Sequence, residues 1–140
     1  MQYLIGMLLA VATGAMGSLV GFDRSRAFYP VILIVIGSYY CLFAVMAGSE
    51  RALWSDAIVA SIFTAAAITG FRTSLWLVVA ALAAHGAMDA VHHHLITNAG
   101  VLKWWPGFCA MFDVTAAAYL ALSLWLRGEP TSSSALYMGH

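Results

Sequence analysis

The chain contains very little charge. Only 9% of its 140 residues are Asp, Glu, Lys or Arg, and the six basic residues balance the six acidic ones. Water-soluble chains carry about 25% charged residues. A chain this short has too much surface to hide 63% hydrophobic residues from water. The composition therefore excludes a water-soluble domain and indicates a protein of the lipid bilayer.

The same scarcity excludes other classes of protein. There is no run of basic residues, so the phosphate neutralisation on which nucleic-acid binding depends is missing. Two cysteines do not make a disulfide framework. The first apolar segment lacks both a basic start and an A-x-A cleavage site, so it is predicted to be a retained helix rather than a signal peptide.

Charged residues and Gly, Pro or Ser divide the chain into five apolar segments long enough to span a bilayer. They cover residues 1–22, 29–48, 49–70, 73–95 and 105–126. The predicted fold class is all-α, a polytopic membrane helical bundle of about five transmembrane helices. Residues 1–127 form one bundle in this interpretation. Residues 128–140 form a polar tail, with one proline and three serines, that is predicted to be flexible.

The basic residues predict an orientation. Five spans place the two termini on opposite sides of the membrane. Four arginines fall on one side and two basic residues on the other: Arg24, Arg26, Arg72 and Arg127 against Arg51 and Lys103. Because basic loops remain in the cytoplasm, the N-terminus is predicted outside and the C-terminal tail in the cytoplasm.

The fourth segment carries a dense group of ionisable residues in the stretch HGAMDAVHHH. Such residues are costly within a membrane and usually face the bundle interior or a water-filled cavity. At about 100° per residue, His85, Asp89 and His92 lie within about 60° of one another on a helix. His93 lies at the edge of this face and His94 points away from it.

Two more acidic residues are predicted at the same depth in the membrane as Asp89. At about 1.5 Å per residue, Asp56, Asp89 and Asp113 fall within one layer about 8–12 Å below the outer boundary. Cys109 precedes Asp113 by one turn on the same face of the fifth segment. Consecutive helices joined by a short loop usually pack together. The tract 98–106 is predicted to be a turn over this layer, with a lid as the alternative.

Imidazole and carboxylate groups are ligands for zinc, iron, copper and manganese, so this layer predicts a transition-metal site. The candidate ligands are His85, Asp89, His92 and Asp113. Four more residues are supporting or alternative ligands: His93, Asp56, Cys109 and Tyr40. Two other interpretations stay open. The layer is a hydrogen-bonded or proton-conducting network, or it binds an organic ligand or a lipid.

The residues that are missing narrow the choice of cofactor. A haem held by two histidines on different helices is disfavoured, because His140 is the only histidine outside the fourth segment. A desaturase-type di-iron centre needs more histidine boxes than the chain contains. Catalytic residues cannot be assigned, and it is left open whether the protein is an enzyme. If it is, the metal would activate water or oxygen against a lipid-soluble substrate.

Partners other than lipids are predicted from two features. Gly6, Ala10 and Gly14 recur every four residues, a spacing that lets helices approach closely. They serve either packing inside the bundle or contact with a second copy. Arg24 and Arg26 are suited to anionic headgroups or a protein partner. The small size also fits the alternative function, an accessory or structural subunit of a larger bacterial membrane complex.

Several of these motifs together resemble a group of small uncharacterised bacterial integral-membrane proteins. The resemblance is carried by the HGxxDxxHH pattern from His85 to His93, by Asn98-x-Gly100, by WWPxFC from Trp104 to Cys109, and by Phe112-Asp113-Val114. The loop from Asp23 to Pro30 is similar too. The resemblance implies a bacterial inner (cytoplasmic) membrane location and treats these residues as one unit. It implies no activity.

Overall fold

The computed structural model describes residues 1–130, and all regular secondary structure in that range is helical. Its five α-helices are α1 Gln2–Val20, α2 Phe28–Met46, α3 Glu50–Arg72, α4 Leu75–Leu95 and α5 Trp105–Leu126. Each is long and apolar enough to cross a bilayer. The prediction of an all-α, multi-pass membrane bundle is confirmed. The predicted flexible tail lies outside the described residues from position 131 onward.

The helix ends follow local chemistry. The α1 helix ends at Val20, before the predicted boundary, because Gly21 adopts the left-handed conformation (φ 87°) that commonly terminates helices. The Ser49 side chain accepts a hydrogen bond from the Ala52 N–H at 3.2 Å and so caps α3, as predicted. Ser74 caps α4 in the same way. The α2 helix ends at Met46, two residues earlier than predicted.

The helices α2 to α5 pack in chain order, whereas α1 packs against α5 instead of α2. The α1 helix packs against α5, α5 against α4, α4 against α3, and α3 against α2; α2 also reaches α4. The α4 helix, which carries the histidines, therefore contacts three other helices. Its central position is what buries polar side chains from α2, α3 and α5 around it.

The small residues of α1 pack inside the bundle. A Cβ at position 6 would clash with the backbone carbonyl of Phe108 on α5, and one at position 14 would meet the ring of Tyr119 at 2.8 Å. Packing inside the bundle is one of the two predicted uses of Gly6, Ala10 and Gly14. Contact of α1 with a second copy stays a prediction, and its outward surface offers large side chains instead.

The two halves of the bundle differ in polarity. We call the end where α1, α3 and α5 begin the Trp104 end, and the opposite one the Arg127 end. The core nearer the Arg127 end is apolar and includes Leu33, Val78, Leu82, Leu120 and Leu124. The buried histidines, by contrast, lie from the middle of α4 to its end at Leu95. An apolar layer therefore separates the polar groups from the Arg127 end.

The arginines predicted to meet lipid or a partner differ in their contacts. The Arg26 side chain donates hydrogen bonds to the carbonyl oxygens of Phe71 (3.1 Å) and Thr73 (3.3 Å), where α3 ends. Arg24 is exposed and makes no side-chain hydrogen bond within residues 1–130. Arg26 thus stabilises a helix end, whereas Arg24 is available to headgroups. A role for either in binding partners stays a prediction.

Candidate metal centre

Three acidic or basic side chains meet in the middle of the bundle. His85 and Asp89 lie one turn apart on α4, and Asp113 comes from α5. Their exposed fractions are 1%, 0% and 0%. One ligand atom from each residue lies within 4.8 Å of the other two. His85 is the middle residue of α4, so its imidazole lies far from both ends of that helix.

The cluster has more acceptors than donors. Nδ1 of His85 lies 2.6 Å from Oδ2 of Asp113, a short hydrogen bond, and 3.4 Å from Oδ2 of Asp89. Within residues 1–130, both oxygens of Asp89 and Oδ1 of Asp113 have no hydrogen-bond partner. Buried polar groups in proteins are nearly always paired. Three unpaired carboxylate oxygens in one small volume therefore need an explanation.

Two glycines lie beside this cluster, and Gly86 allows a close approach of its helix. A Cβ at Gly86 would lie 3.0 Å from the carbonyl oxygen of Ala110, so α4 and α5 pack closely beside the aspartates. A Cβ at Gly37 would lie 3.7 Å from Nε2 of His85, so α2 passes directly beside the imidazole. The Phe63 ring packs edge-on against His85 with centroids 4.7 Å apart. These contacts fix the imidazole in one orientation.

Tyr40 and Cys109 lie beside the cluster. The Tyr40 side chain is 2% exposed, and its hydroxyl lies close enough to Asp89 to donate a hydrogen bond to this carboxylate. Cys109 is buried close to both Asp89 and Asp113. Both predicted supporting residues are thus brought to the site. Tyr40 adds a hydroxyl donor beside the Asp89 carboxylate.

His92 belongs to a second cluster. Its Nε2 lies 2.7 Å from Oδ1 of Asp56, and the amide of Asn98 donates to Oδ2 of the same carboxylate at 2.8 Å. The Asn98 amide also donates to the carbonyl oxygen of Tyr40 at 3.1 Å. The Tyr40 ring stacks on the imidazole of His92 with centroids 4.0 Å apart. Both oxygens of Asp56 are paired, so this cluster is complete without a further ligand.

The structure therefore divides the predicted set of residues. It brings His85, Asp89 and Asp113 together, and places His92 with Asp56, nearer the Trp104 end. The three aspartates, predicted to share one layer, belong to two clusters. His92 lies two helical turns from His85, and Asp56 contacts His92 rather than His85. His93 and His94 are exposed, with their rings 3.8 Å apart.

Sequence reasoning missed the second role of Asn98. It was interpreted as part of a turn, and its Oδ1 does accept from the N–H of Gly100 at 3.1 Å. The hydrogen bonds of its amide to α2 and α3 depend on contacts between distant residues, and no local motif signals them. Cys41 and Cys109 are both free cysteines.

One nitrogen and two carboxylate ligands are a set that binds metal ions in proteins. The described residues show a multi-pass membrane protein with a buried His/Asp/Asp group that could hold a metal ion. No protein-family model, no curated protein and no solved structure matches this chain.

Proposed function

We propose that this protein binds a metal ion within the membrane and that His85, Asp89 and Asp113 are the ligands. The observation that carries the proposal is the set of three unpaired carboxylate oxygens at fully buried positions. Burying an ionised carboxylate without compensation is very costly. A cation held by these three residues would compensate the oxygens, with the His85 nitrogen that faces Asp113 acting as a ligand in place of its hydrogen bond to that residue.

Charge balance favours a divalent ion. Two ionised carboxylates and one neutral imidazole carry two negative charges, which a divalent cation cancels. Neutrality matters here because electrostatic energies are much larger in a low-dielectric interior than in water. Carboxylates suit manganese, and imidazole suits iron, zinc and copper. With two oxygen ligands and one nitrogen, we favour Mn²⁺ or Fe²⁺ over zinc and copper.

The His92–Asp56 pair supports this site without being part of it. It joins α4 to α3 two helical turns nearer the Trp104 end than His85. The Tyr40 ring packs against His92, and the Tyr40 hydroxyl lies close to Asp89. Hydrogen bonds to neighbouring residues commonly hold metal-binding groups in position and tune them. The Tyr40 hydroxyl, which lies close to Asp89, is a further oxygen beside the proposed site.

Elemental analysis of the detergent-purified protein tests the proposal. The matched pair is Asp89→Asn and Asp56→Asn, because both remove one buried carboxylate with almost no change in shape. Near-stoichiometric metal in the wild type, lost in Asp89→Asn and retained in Asp56→Asn, is the expected result. His85→Gln and His92→Gln form a second pair with the same expectation.

A wild type without metal, or equal retention by Asp89→Asn and Asp56→Asn, would overturn the proposal. The alternative, an accessory subunit of a larger membrane complex, makes a different prediction. In that case the polar clusters are structural, and the protein co-purifies with another membrane protein in a fixed ratio. Replacing Asp89 would then disturb assembly without any effect on metal.

We further propose that the Trp104 end faces the outside of a bacterial inner membrane and the Arg127 end the cytoplasm. The support is the excess of arginines in the loops at the Arg127 end. Thr97→Cys and Ser25→Cys place thiols at exposed positions on opposite ends. A membrane-impermeant maleimide applied to intact cells should label only the first above the background of the parent chain. Labelling of only the second would reverse the orientation.

A further inference from the structure

An apolar groove runs along the bundle between α1 and α2, with α5 as its floor. Its volume is about 790 Å³, within the range of about 300–1,000 Å³ typical of small-molecule sites. Its walls include Ile5, Leu9, Ile36, Tyr39, Cys109 and Phe112. The helices α1 and α2 are not among the closely packed pairs of the bundle. The groove therefore opens sideways, at the depth of the lipid hydrocarbon chains.

The groove and the carboxylate cluster lie against the same two helices, α2 and α5. Cys109 lines the groove, and Asp113 lies one helical turn further along the same face of α5. On α2, Ile36 lines the groove, while the next residue, Gly37, passes directly beside the imidazole of His85. Neighbouring residues on two helices thus face the groove on one side and the cluster on the other.

The rim and the walls of the groove suit different parts of a lipid. Met1, Gln2, Trp104 and Trp105 line it at the Trp104 end. Tryptophan and polar side chains favour the level of lipid headgroups. Below the rim, the lining residues of α1 and α5 are apolar and extend about 10 Å beyond Gln2 and Trp105, at 1.5 Å per residue. This arrangement matches a headgroup at the rim and a hydrocarbon chain below it.

We propose that the groove binds the hydrocarbon chain of a lipid from the leaflet at the Trp104 end. Because Cys109 lines the groove one turn from Asp113, the hydrocarbon chain lies beside the metal site. A lipid is therefore the class of substrate or ligand on which the site acts. The assignment of a substrate rests on the proposed metal function. Lipid binding itself is measurable without it.

Photocrosslinking tests the proposal in nanodiscs that contain a phospholipid with a diazirine in its acyl chain. Ile5→Trp and Leu9→Trp fill the groove from α1. Leu4→Trp and Leu8→Trp are matched controls, because these neighbours are similarly exposed but do not line it. We expect crosslinks to residues 32–39 and 108–112 in the wild type and both controls, and their loss in both groove variants.

Metal content measured on the same samples separates this proposal from the previous one. Unchanged metal in all four variants, with crosslinks lost only from the groove variants, supports both. Equal crosslinking of groove variants and controls, or a wild type in which residues 32–39 and 108–112 carry no lipid label, overturns the lipid assignment. Groove crosslinks in a protein without metal overturn the metal function and the substrate assignment, while lipid binding stands.

Discussion

His85 and Asp113 join the two helices that carry the buried cluster. Nδ1 of His85 lies 2.6 Å from Oδ2 of Asp113, and both side chains are almost fully inaccessible. The other oxygen of Asp113 has no partner among the described residues. The pair thus does two things at once. It connects α4 to α5, and it leaves an acceptor free beside Asp89.

The contact between these two residues should be energetically coupled. Replacing His85 by Leu in the metal-free protein leaves Asp113 unpaired, which should cost about 3–5 kcal/mol. We expect the double variant with Asp113→Leu to be more stable than the sum of the single effects implies, by about 0.5–3 kcal/mol. The free energy of unfolding in mixed micelles, measured for each variant, provides the double-mutant cycle.

The matched control for this cycle pairs His85→Leu with Asp56→Leu. Asp56 is equally buried but belongs to the His92 cluster. Its effect should add to that of His85 within about 0.5 kcal/mol. Additive effects for His85 and Asp113 would show that their short contact contributes nothing to folding.

Gly6 should be required for the packing of α1 on α5. The Gly6→Leu substitution drives a side chain into the backbone at Phe108, so we expect a loss at or above the usual overpacking cost of about 1–3 kcal/mol. Ala12→Leu, on the exposed side of the same helix, should change stability by about 0.5 kcal/mol or less. Unfolding of the monomer in detergent measures both. If Gly6→Leu left the monomer as stable as before but abolished an oligomer, Gly6 would instead contact a partner chain.

Asn98 should hold the loop after α4 against the bundle. Asn98→Ala removes hydrogen bonds to the Asp56 carboxylate and to the Tyr40 carbonyl. A hydrogen bond to a charged group contributes about 1.5–3 kcal/mol. We expect that loss, together with faster hydrogen exchange in residues 96–104, while the metal content is retained. The neighbouring exposed Thr97→Ala serves as the control, and equal exchange in both variants would contradict the role of Asn98.

The two arginines of the first loop should differ in their effect on stability. Arg26→Met removes donors to the last carbonyl groups of α3, which should cost about 0.5–1.5 kcal/mol. Arg24→Met removes a charge that has no hydrogen-bond partner in the described part of the chain, so stability should not change. Thermal unfolding in a zwitterionic detergent compares them. Equal shifts would mean that the capping contact of Arg26 has no energetic effect.

Much of the fold could be predicted because it depends on local properties. Span length and apolar composition identify five helices, and the boundaries near Ser49 and Ser74 follow from capping chemistry. The helical period also identifies the face of α4 that carries His85, Asp89 and His92, all of which are buried. Boundaries at Gly21 and Gly48 were less accurate, because a glycine does not indicate how many residues before it the helix ends.

The pairing of the polar residues could not be predicted in the same way. Spacing along α4 makes His85 and His92 equivalent, since both lie on its buried face. They differ because α5 presents Asp113 at one level and α3 presents Asp56 at another. Those levels depend on how far the helices slide along one another. Close contacts at residues such as Gly86 limit that sliding.

Hydropathy and helical period are properties of the chain, so the sequence alone indicates a membrane-spanning protein with a polar face on α4. Which acids meet which histidines depends on the tertiary structure, as does the difference between a complete cluster and one with unpaired oxygens. The apolar groove against α2 and α5 is likewise a feature of the packed bundle. Each of these features depends on contacts between helices that are distant in sequence, and such contacts leave no local signal.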